Sequence, residues 1–426
     1  MTIRHFIALG TLIIASATAG AGENWPGWRG PTGMGQTDEA KLPLTWDGKT
    51  NENVLWKAPL FPSTKVRRDQ NQSSPIVWGE RVFVTVSYWP EGISEKEHPE
   101  HHVLCFRTRD GQQLWDTAVA PGLWKLTDLR GGYTAPTPAC DGRRVYVVFG
   151  SAVIAALNHD GKLIWRKEIV PHHFDVAIGA SPVIFQDTMI FVSDQLRDKR
   201  ASSIYGFDAA SGDIRWQAER PDADWTHSTP ALAKIGDAMQ LLVAGANGPQ
   251  GFDPTNGKRL WWCNVPGGRV GDTVTPVLGK DILYVDSGRG GPGVAVDPNG
   301  QGDVSKSHVR WRIASLPEGF SSPVIVGDQL YRLHNPGVLT AMRLSDGKEV
   351  FRERLEGLDP AVSPFAMPDG TICCATAGTS YVIKAGTKCE MLARNDLGDA
   401  SRASPAVAAG RIYLKGGRYL FCVGNK

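Results

Sequence analysis

The sequence predicts an all-β chain folded as an eight-bladed β-propeller, and three observations carry that expectation. One short phrase recurs eight times: a Ser or Thr, then Pro, small apolar residues, a Gly/Asp turn and a β-branched run. Its prolines are Pro75, Pro138, Pro182, Pro230, Pro276, Pro323, Pro364 and Pro405, spaced by 63, 44, 48, 46, 47, 41 and 41 residues. That is the size of one four-stranded blade, and too long for ankyrin-type or leucine-rich units. In the second half of most units an Asp, Ser or Asn followed by Gly separates two apolar runs, a hairpin signal, and an aromatic residue follows four positions later.

Taken from the N-terminus, residues 1–21 read as an export signal. Arg4 and His5 form a short polar start, residues 6–15 an apolar stretch, and Ala17-Thr18-Ala19 or Ala19-Gly20-Ala21 a small-residue cleavage site. The apolar stretch is too short for a membrane span, and no cysteine precedes Cys105, so a lipid anchor at the cleavage site is not expected. The mature protein is expected to be soluble and exported, periplasmic or secreted. Residues 22–52 form an N-terminal extension, and 53–426 the propeller. Asn53-Val54-Leu55-Trp56-Lys57 is an orphan outer strand, whereas the last unit stops after its third strand at 420–423. Strand 53–57 should therefore complete the eighth blade and close the ring, hiding edges that would otherwise invite aggregation.

Within each unit, runs such as Val82-Phe83-Val84 and Ile190-Phe191-Val192 are apolar at successive positions, as strands buried on both faces are. The proline suits the start of an inner strand, where its missing N–H breaks no ladder bond. The aromatic residues Trp56, Trp115, Trp165, Trp216, Trp261, Trp311 and Phe351 start outer strands and should dock onto the next blade, burying on the order of 200 Å² each.

With 46 Lys and Arg against 44 Asp and Glu, the chain carries no field of the kind nucleic-acid binders show. The 48 glycines, 28 prolines and 42% hydrophobic content fit a turn-rich, well-buried β chain. Seven cysteines in an exported chain leave at least one unpaired or paired between molecules. Cys105, Cys140, Cys263 and Cys422 lie in strand-like segments and read as small core residues rather than disulfide partners.

The segment Gly206-Phe207-Asp208-Ala209-Ala210-Ser211-Gly212-Asp213-Ile214-Arg215-Trp216, repeated at blade spacing, resembles the tryptophan-docking motif of propellers of the pyrroloquinoline-quinone (PQQ) type. Two groups share it. In the quinoprotein alcohol and glucose dehydrogenases, the resemblance implies a quinone and a calcium ion in the central mouth. In the BamB-type propellers it implies protein binding with no cofactor. The opening Trp25-Pro26-Gly27-Trp28-Arg29-Gly30-Pro31 also resembles the start of exported bacterial members of this superfamily. The chain is shorter than the dehydrogenases usually are. Its Cys373-Cys374, an echo of their adjacent-cysteine disulfide, aligns with the second strand of blade seven, a core position.

Connections from outer strand to next inner strand, and from second to third strand, converge on one face of a propeller, where ligands bind. That mouth is expected to hold Arg67, Gln72, Arg130, Tyr133, His173, Asp175, Trp225, His227, Asn247, Arg269, Asp272, Arg289, His334 and Arg402. Asp175, Asn247 and Asp272 carry oxygens suited to a hard cation, though such residues are more often turn formers. His172, His173 and His227, with Asp175 and Asp224, have zinc-type ligands but no spacing that fixes them together. His98, His101 and His102 read as an exposed loop in the long 88–102 insertion. The arginines either form a positive funnel for a carboxylate, sulfate or quinone acid, or, the favoured alternative, each pairs with a loop acid such as Asp69, Asp128, Asp272 or Asp399.

No nucleophile elbow, phosphate loop, dinucleotide fingerprint or His-Glu-x-x-His is present. The expected function is a non-catalytic, monomeric binding or scaffold module that takes a protein or extended ligand at its mouth, with no nucleic acid, no membrane span and no obligatory cofactor. The alternative is a PQQ- and calcium-dependent alcohol or sugar dehydrogenase, with Asp175 or Asp272 as calcium ligand and base and Trp225 or Trp124 as floor of the pocket.

Overall fold

Each Ser/Thr-Pro phrase opens a short inner strand, and the chain then winds outward through three more. A computed structural model describes residues 24–426 apart from 172–175, 177, 196–201, 222, 224–225, 246 and 267–269. It holds eight separate sheets, each built on a meander of four antiparallel strands. The sixth is representative, running Val324–Val326, Gln329–His334, Val338–Arg343 and Glu349–Arg354 from inside to outside. The described residues contain no helix. Two sheets gain an extra short strand: Arg67–Arg68 pairs with the end of Arg81–Trp89 in the first blade, and Gly302–Asp303, from the insertion in unit five, adds in parallel to the outer edge of the fourth.

The eighth blade is composite. Val54–Pro59 pairs antiparallel with Tyr419–Gly424, with Trp56 opposite Cys422 and Lys57 opposite Phe421. The ring is thus shut by the leading strand on the trailing sheet.

Second strands are buried on both faces because a blade packs on either side. In Arg81–Trp89, Val82, Val84, Val86 and Tyr88 join a cluster with eighth-blade residues such as Tyr413 and Leu414. Phe83 points the other way, into a cluster with Val145 and Val147 of the second blade. Period-two side-chain alternation therefore produces an unbroken apolar run.

The hydroxyl of the recurring phrase has its own role. Ser74 N donates to Thr137 Oγ1 (2.9 Å), Thr137 N to Ser181 Oγ (2.9 Å) and Ser181 N to Thr229 Oγ1 (2.9 Å). Further round, Thr275 N donates to Ser322 Oγ (3.0 Å), Ser322 N to Ser363 Oγ (2.9 Å), Ser363 N to Ser404 Oγ (3.0 Å), and Ser404 N back to Ser74 Oγ (3.0 Å). In seven of the eight blades this side chain thereby satisfies a buried amide of the preceding blade around the channel, and in blade five Thr275 Oγ1 accepts from Trp28 instead. Ser322→Ala, which orphans the Thr275 amide, is expected to cost about 1–3 kcal/mol, and Ser322→Thr far less. Urea midpoints of the two variants check this; equal midpoints would contradict it.

Tryptophans span the blade interfaces. Trp56 Nε1 donates to Thr108 O (2.8 Å), Trp115 Nε1 to His159 O (2.8 Å), Trp165 Nε1 to Ala209 O (3.1 Å) and Trp311 Nε1 to Leu344 O (2.7 Å), each in the following blade. The hairpin glycine lies flat on the ring: a Cβ on Gly111, whose φ is +71°, would sit 2.5 Å from Trp56. Gly257 covers Trp216 in the same manner. Trp261 differs, because its Nε1 turns to Gln240 Oε1 of its own sheet (2.8 Å) while Gly302–Asp303 occupies the edge beside it. Phe351, which has no N–H to donate, stacks at a tilt on Tyr331 of its own blade (6.2 Å).

Residues 24–37 run across the channel end that carries the first-to-second strand turns. Gly79 N donates to Asn24 Oδ1 (2.7 Å), Trp25 bridges to Val77, and Cys140 N donates to Pro26 O (2.7 Å). On the far side Gln36 Nε2 reaches Ile325 O (3.2 Å) and Ala366 N donates to Gly35 O (2.8 Å). This plug touches blades one, two, six and seven, and its Trp28 reaches the inner ring of blade five, donating from Nε1 to Thr275 Oγ1 (2.8 Å). Arg29 is buried within it, and burial lowers its guanidinium to about 9.

All seven cysteines are free thiols. Cys373 and Cys374 fall in different apolar clusters on opposite faces of the seventh blade, where burial raises both thiols. His101 and His102 correct the expectation of an exposed loop, since both are buried in the strand Glu100–Arg107. His101 sits between Ser87 Oγ (2.8 Å) and Ser151 Oγ (2.9 Å), stacked on Phe149, and burial pulls it down to about 3.

Candidate functional site

Above the plug the channel opens into a cavity of about 310 Å³. Its floor is Trp28, supplied by the N-terminal extension and fixed by the bond to Thr275. Ser181 and Thr229 of the inner ring belong to its wall. The remaining wall comes from outer-to-inner connections, through Gln72, Arg130, His227, Phe320 and Arg402, and from the turn between second and third strands of blade five, through Arg289.

Local geometry explains these positions. Gln72 Nε2 donates to Arg130 O (2.8 Å), tying the first connection to the second. Arg130 Nε donates to Asp128 Oδ2 (2.7 Å), which lowers the Asp128 carboxyl and raises the Arg130 guanidinium. His227 N donates to Asp272 O (2.6 Å), Thr226 Oγ1 to Gly271 O (2.5 Å) and Ser228 Oγ to Val274 O (2.7 Å), zipping the 226–228 turn to the next blade. A Cβ on Gly179 would lie 2.7 Å from the His227 side chain, so only glycine admits the histidine there. Arg289 Nε meets Asp272 Oδ2 at 2.9 Å, and its guanidinium carbon lies 5.4 Å from the Phe320 ring centroid. Arg402 Nε lies 3.4 Å from Asp359 Oδ2.

Of the residues expected at the mouth, Gln72, Arg130, His227, Arg289 and Arg402 line this cavity together. Others lie elsewhere. Arg67 pairs with Glu95 over Trp89, because the first blade's second strand runs on to Trp89 and carries 67–68 away from the axis. Tyr133 is buried: its amide donates to Asp69 Oδ2 (2.5 Å) and its hydroxyl accepts from Leu126 N (3.0 Å). Asn247 bridges to Val270. His334 is buried and hydrogen-bonded to Pro317 O (3.2 Å), and burial lowers it to about 4. His173, Asp175, Trp225 and Arg269, with His172 and Asp224, lie outside the described residues. The acid partners also differ in part from expectation, since Asp399 takes Arg418 (3.0 Å) and Asp69 takes the Tyr133 amide.

The two aromatic residues of the lining were not anticipated. Trp28, not Trp124, forms the floor, while Trp124 packs with Trp89, Leu126 and Tyr133. Phe320 lies under Arg289.

The chemistry that a quinone and calcium would require can be tested on these groups. Among the described residues no three of His, Cys, Asp and Glu gather to hold a metal ion. Asp272, the described carboxylate of the anticipated calcium set, is buried and engaged by Arg289. The vicinal cysteines are core thiols remote from the mouth lining. Among the described residues these groups therefore do not assemble the anticipated calcium set.

A family model described as outer membrane protein assembly factor BamB matches residues 99–353, well over half of the 426. Similar solved structures include BamB from Moraxella catarrhalis, with TM-score 0.58 and 14% identity, covering 87% of this chain and 98% of that one. The computationally designed Ika8 protein gives TM-score 0.56 and 11% identity, with 87% and 99% covered. A europium-containing methanol dehydrogenase gives 0.51 and 10%, with 93% and 90% covered. At such identities these likenesses establish the fold. No curated protein matches the sequence.

Proposed function

We propose, from the premise that this chain belongs to the family of the outer membrane protein assembly factor BamB, that it is a non-catalytic binding module whose ligand enters the open mouth. The observation that carries this is the cavity itself: Trp28 of the plug lies at its base, and side chains from several blades, among them Gln72 bonded to the next connection and Arg402 paired across connections, make its wall. A rigid mixed surface of this kind suits recognition. The oxidoreductase alternative has less support, because the described donors offer neither a cation set nor a free carboxylate base beside the floor. Export through residues 1–21 is part of the proposal, supported by the polar, apolar and small-residue order of that stretch. No helix of the described residues is long and apolar enough to cross a membrane.

A photo-crosslinking side chain placed at Gln72 or Arg402 is expected to give discrete adducts in cells, and one placed at Asp160 or Asp346, in turns of the opposite face, none. Adducts of equal yield from both faces would contradict the proposal. So would saturable quinone binding with calcium-dependent dye-linked oxidation of alcohols or sugars by the purified protein.

A further inference from the structure

Among the described residues, every charged side chain lining the mouth cavity is an arginine: Arg130, Arg289 and Arg402. His227 is the further titratable group there, and no Asp or Glu belongs to the described lining. The partner acids Asp128, Asp272 and Asp359 do not belong to that lining, and each pairs with its arginine and orients the guanidinium group. Arg289 is additionally held against Phe320. Arg130 and Arg402 keep much of their side chains in solvent, 83% and 52% exposed. Cations in a concave, partly apolar wall focus a positive field into the space they enclose. A guanidinium fork matches a carboxylate in shape as well as charge.

We infer that the mouth recognises carboxylates, and that its partner presents an extended, acidic peptide segment whose Asp or Glu side chains descend toward Trp28 between Arg130, Arg289 and Arg402. Size favours a segment over a folded surface: about 310 Å³ lies at the low end of ligand pockets and admits side chains or a short stretch of chain. This inference rests on the mouth being the binding face.

The test uses the full mature chain and a fluorescein-labelled octaglutamate, read by anisotropy. Saturable binding is expected at 50 mM NaCl, with marked weakening at 300 mM as screening shortens the reach of the field. R130Q and R402Q should each weaken it roughly ten- to a hundredfold, the loss of one charge-assisted hydrogen-bonding group. Both residues are exposed, so the variants should keep the wild-type urea midpoint; Arg289 is left intact because it is paired with the buried Asp272. R343Q, on an outer turn of the opposite face, should bind as wild type. Excess citrate should displace the peptide, showing that a free carboxylate and a peptide carboxylate share the pocket.

Equal binding of octaglutamine, unchanged binding in the R130Q/R402Q double variant, or no displacement by saturating citrate would each overturn the inference. Its failure is separable from failure of the binding-module proposal: mouth-specific crosslinks that persist in R130Q/R402Q overturn carboxylate recognition alone, whereas absence of mouth-specific crosslinks removes the premise.

Discussion

Trp56→Ala is expected to destabilise the protein by about 3–5 kcal/mol, the range for removing a large buried aromatic side chain. Trp56 is 8% exposed, donates from Nε1 to Thr108 O, lies under Gly111 and packs at a tilt on Tyr413. It stands where the eighth blade meets the first, the seam at which the strand Val54–Pro59 closes the ring. The other blades draw their four meander strands from one continuous stretch of chain, whereas here the outer strand Val54–Pro59 comes from the opposite end of the chain and is held on Tyr419–Gly424 by its antiparallel ladder and by packing. Local opening should therefore begin at this seam. The variant should show a lower urea midpoint and faster amide exchange in 54–59 and 419–424 than in the sixth blade. Trp165→Ala, in a blade whose four strands are contiguous in sequence, should lose comparable stability without that localised exchange. A Trp56→Ala midpoint matching wild type, or exchange raised evenly in all blades, would refute the seam's special role.

The blade count was legible in the sequence because each blade is one copy of the same supersecondary unit, and its two strongest signals, Ser/Thr-Pro and Asp/Ser-Gly followed by an aromatic residue, are local. Closure was legible for a related reason, since an orphan outer strand at 53–57 and a missing one after 423 complement each other. The hydroxyl ring was less apparent. Proline explains its own place by the amide it lacks, whereas the partner of each hydroxyl lies in another blade, 41 residues away for Ser363 and Ser404. Its signal was present all the same, in the persistence of Ser or Thr at a position where proline alone demands neither.

Loop positions at the mouth followed from topology, but side-chain directions did not. Arg67 and Arg402 both sit in outer-to-inner connections, and only the extra length of Arg81–Trp89 separates their fates. His101 reads as polar and exposed in sequence; Ser87 and Ser151, far apart in the chain, supply the two hydrogen bonds that let it be buried. Trp28 was hidden for a different reason. An irregular stretch rich in Gly and Pro carries no periodicity, so nothing local indicates that it lies across the channel. The recurring Thr at 275, beside which its indole nitrogen docks, becomes informative once the ring is assembled.

Arg332→Ala should cost a further large amount, about 3–5 kcal/mol, through a mechanism unlike that of Trp56. Arg332 and Asp286 are both essentially inaccessible, 0% and 1% exposed, and join blades six and five through Nε to Oδ2 (2.8 Å) and Nη2 to Oδ1 (3.0 Å). Asp286 also accepts from Tyr284 Oη (3.0 Å) and Gly288 N (2.8 Å), while Arg332 donates to the carbonyls of Gly319 and Leu333. Removing the guanidinium leaves a carboxylate without its counter-charge in a low-dielectric interior, and that penalty exceeds the net worth of the intact pair. A double variant, Asp286→Asn with Arg332→Met, removes both charges yet keeps an acceptor for Gly288, so it should recover most of the loss. The pair also supports the site: Gly319 precedes Phe320, on which Arg289 rests. Amide exchange at 318–322 should accordingly rise in Arg332→Ala before global unfolding and return toward wild type in the double variant. If the double variant were as unstable as the single one, the lost contacts rather than the stranded charge would be the cause, and the electrostatic account of this junction would fail.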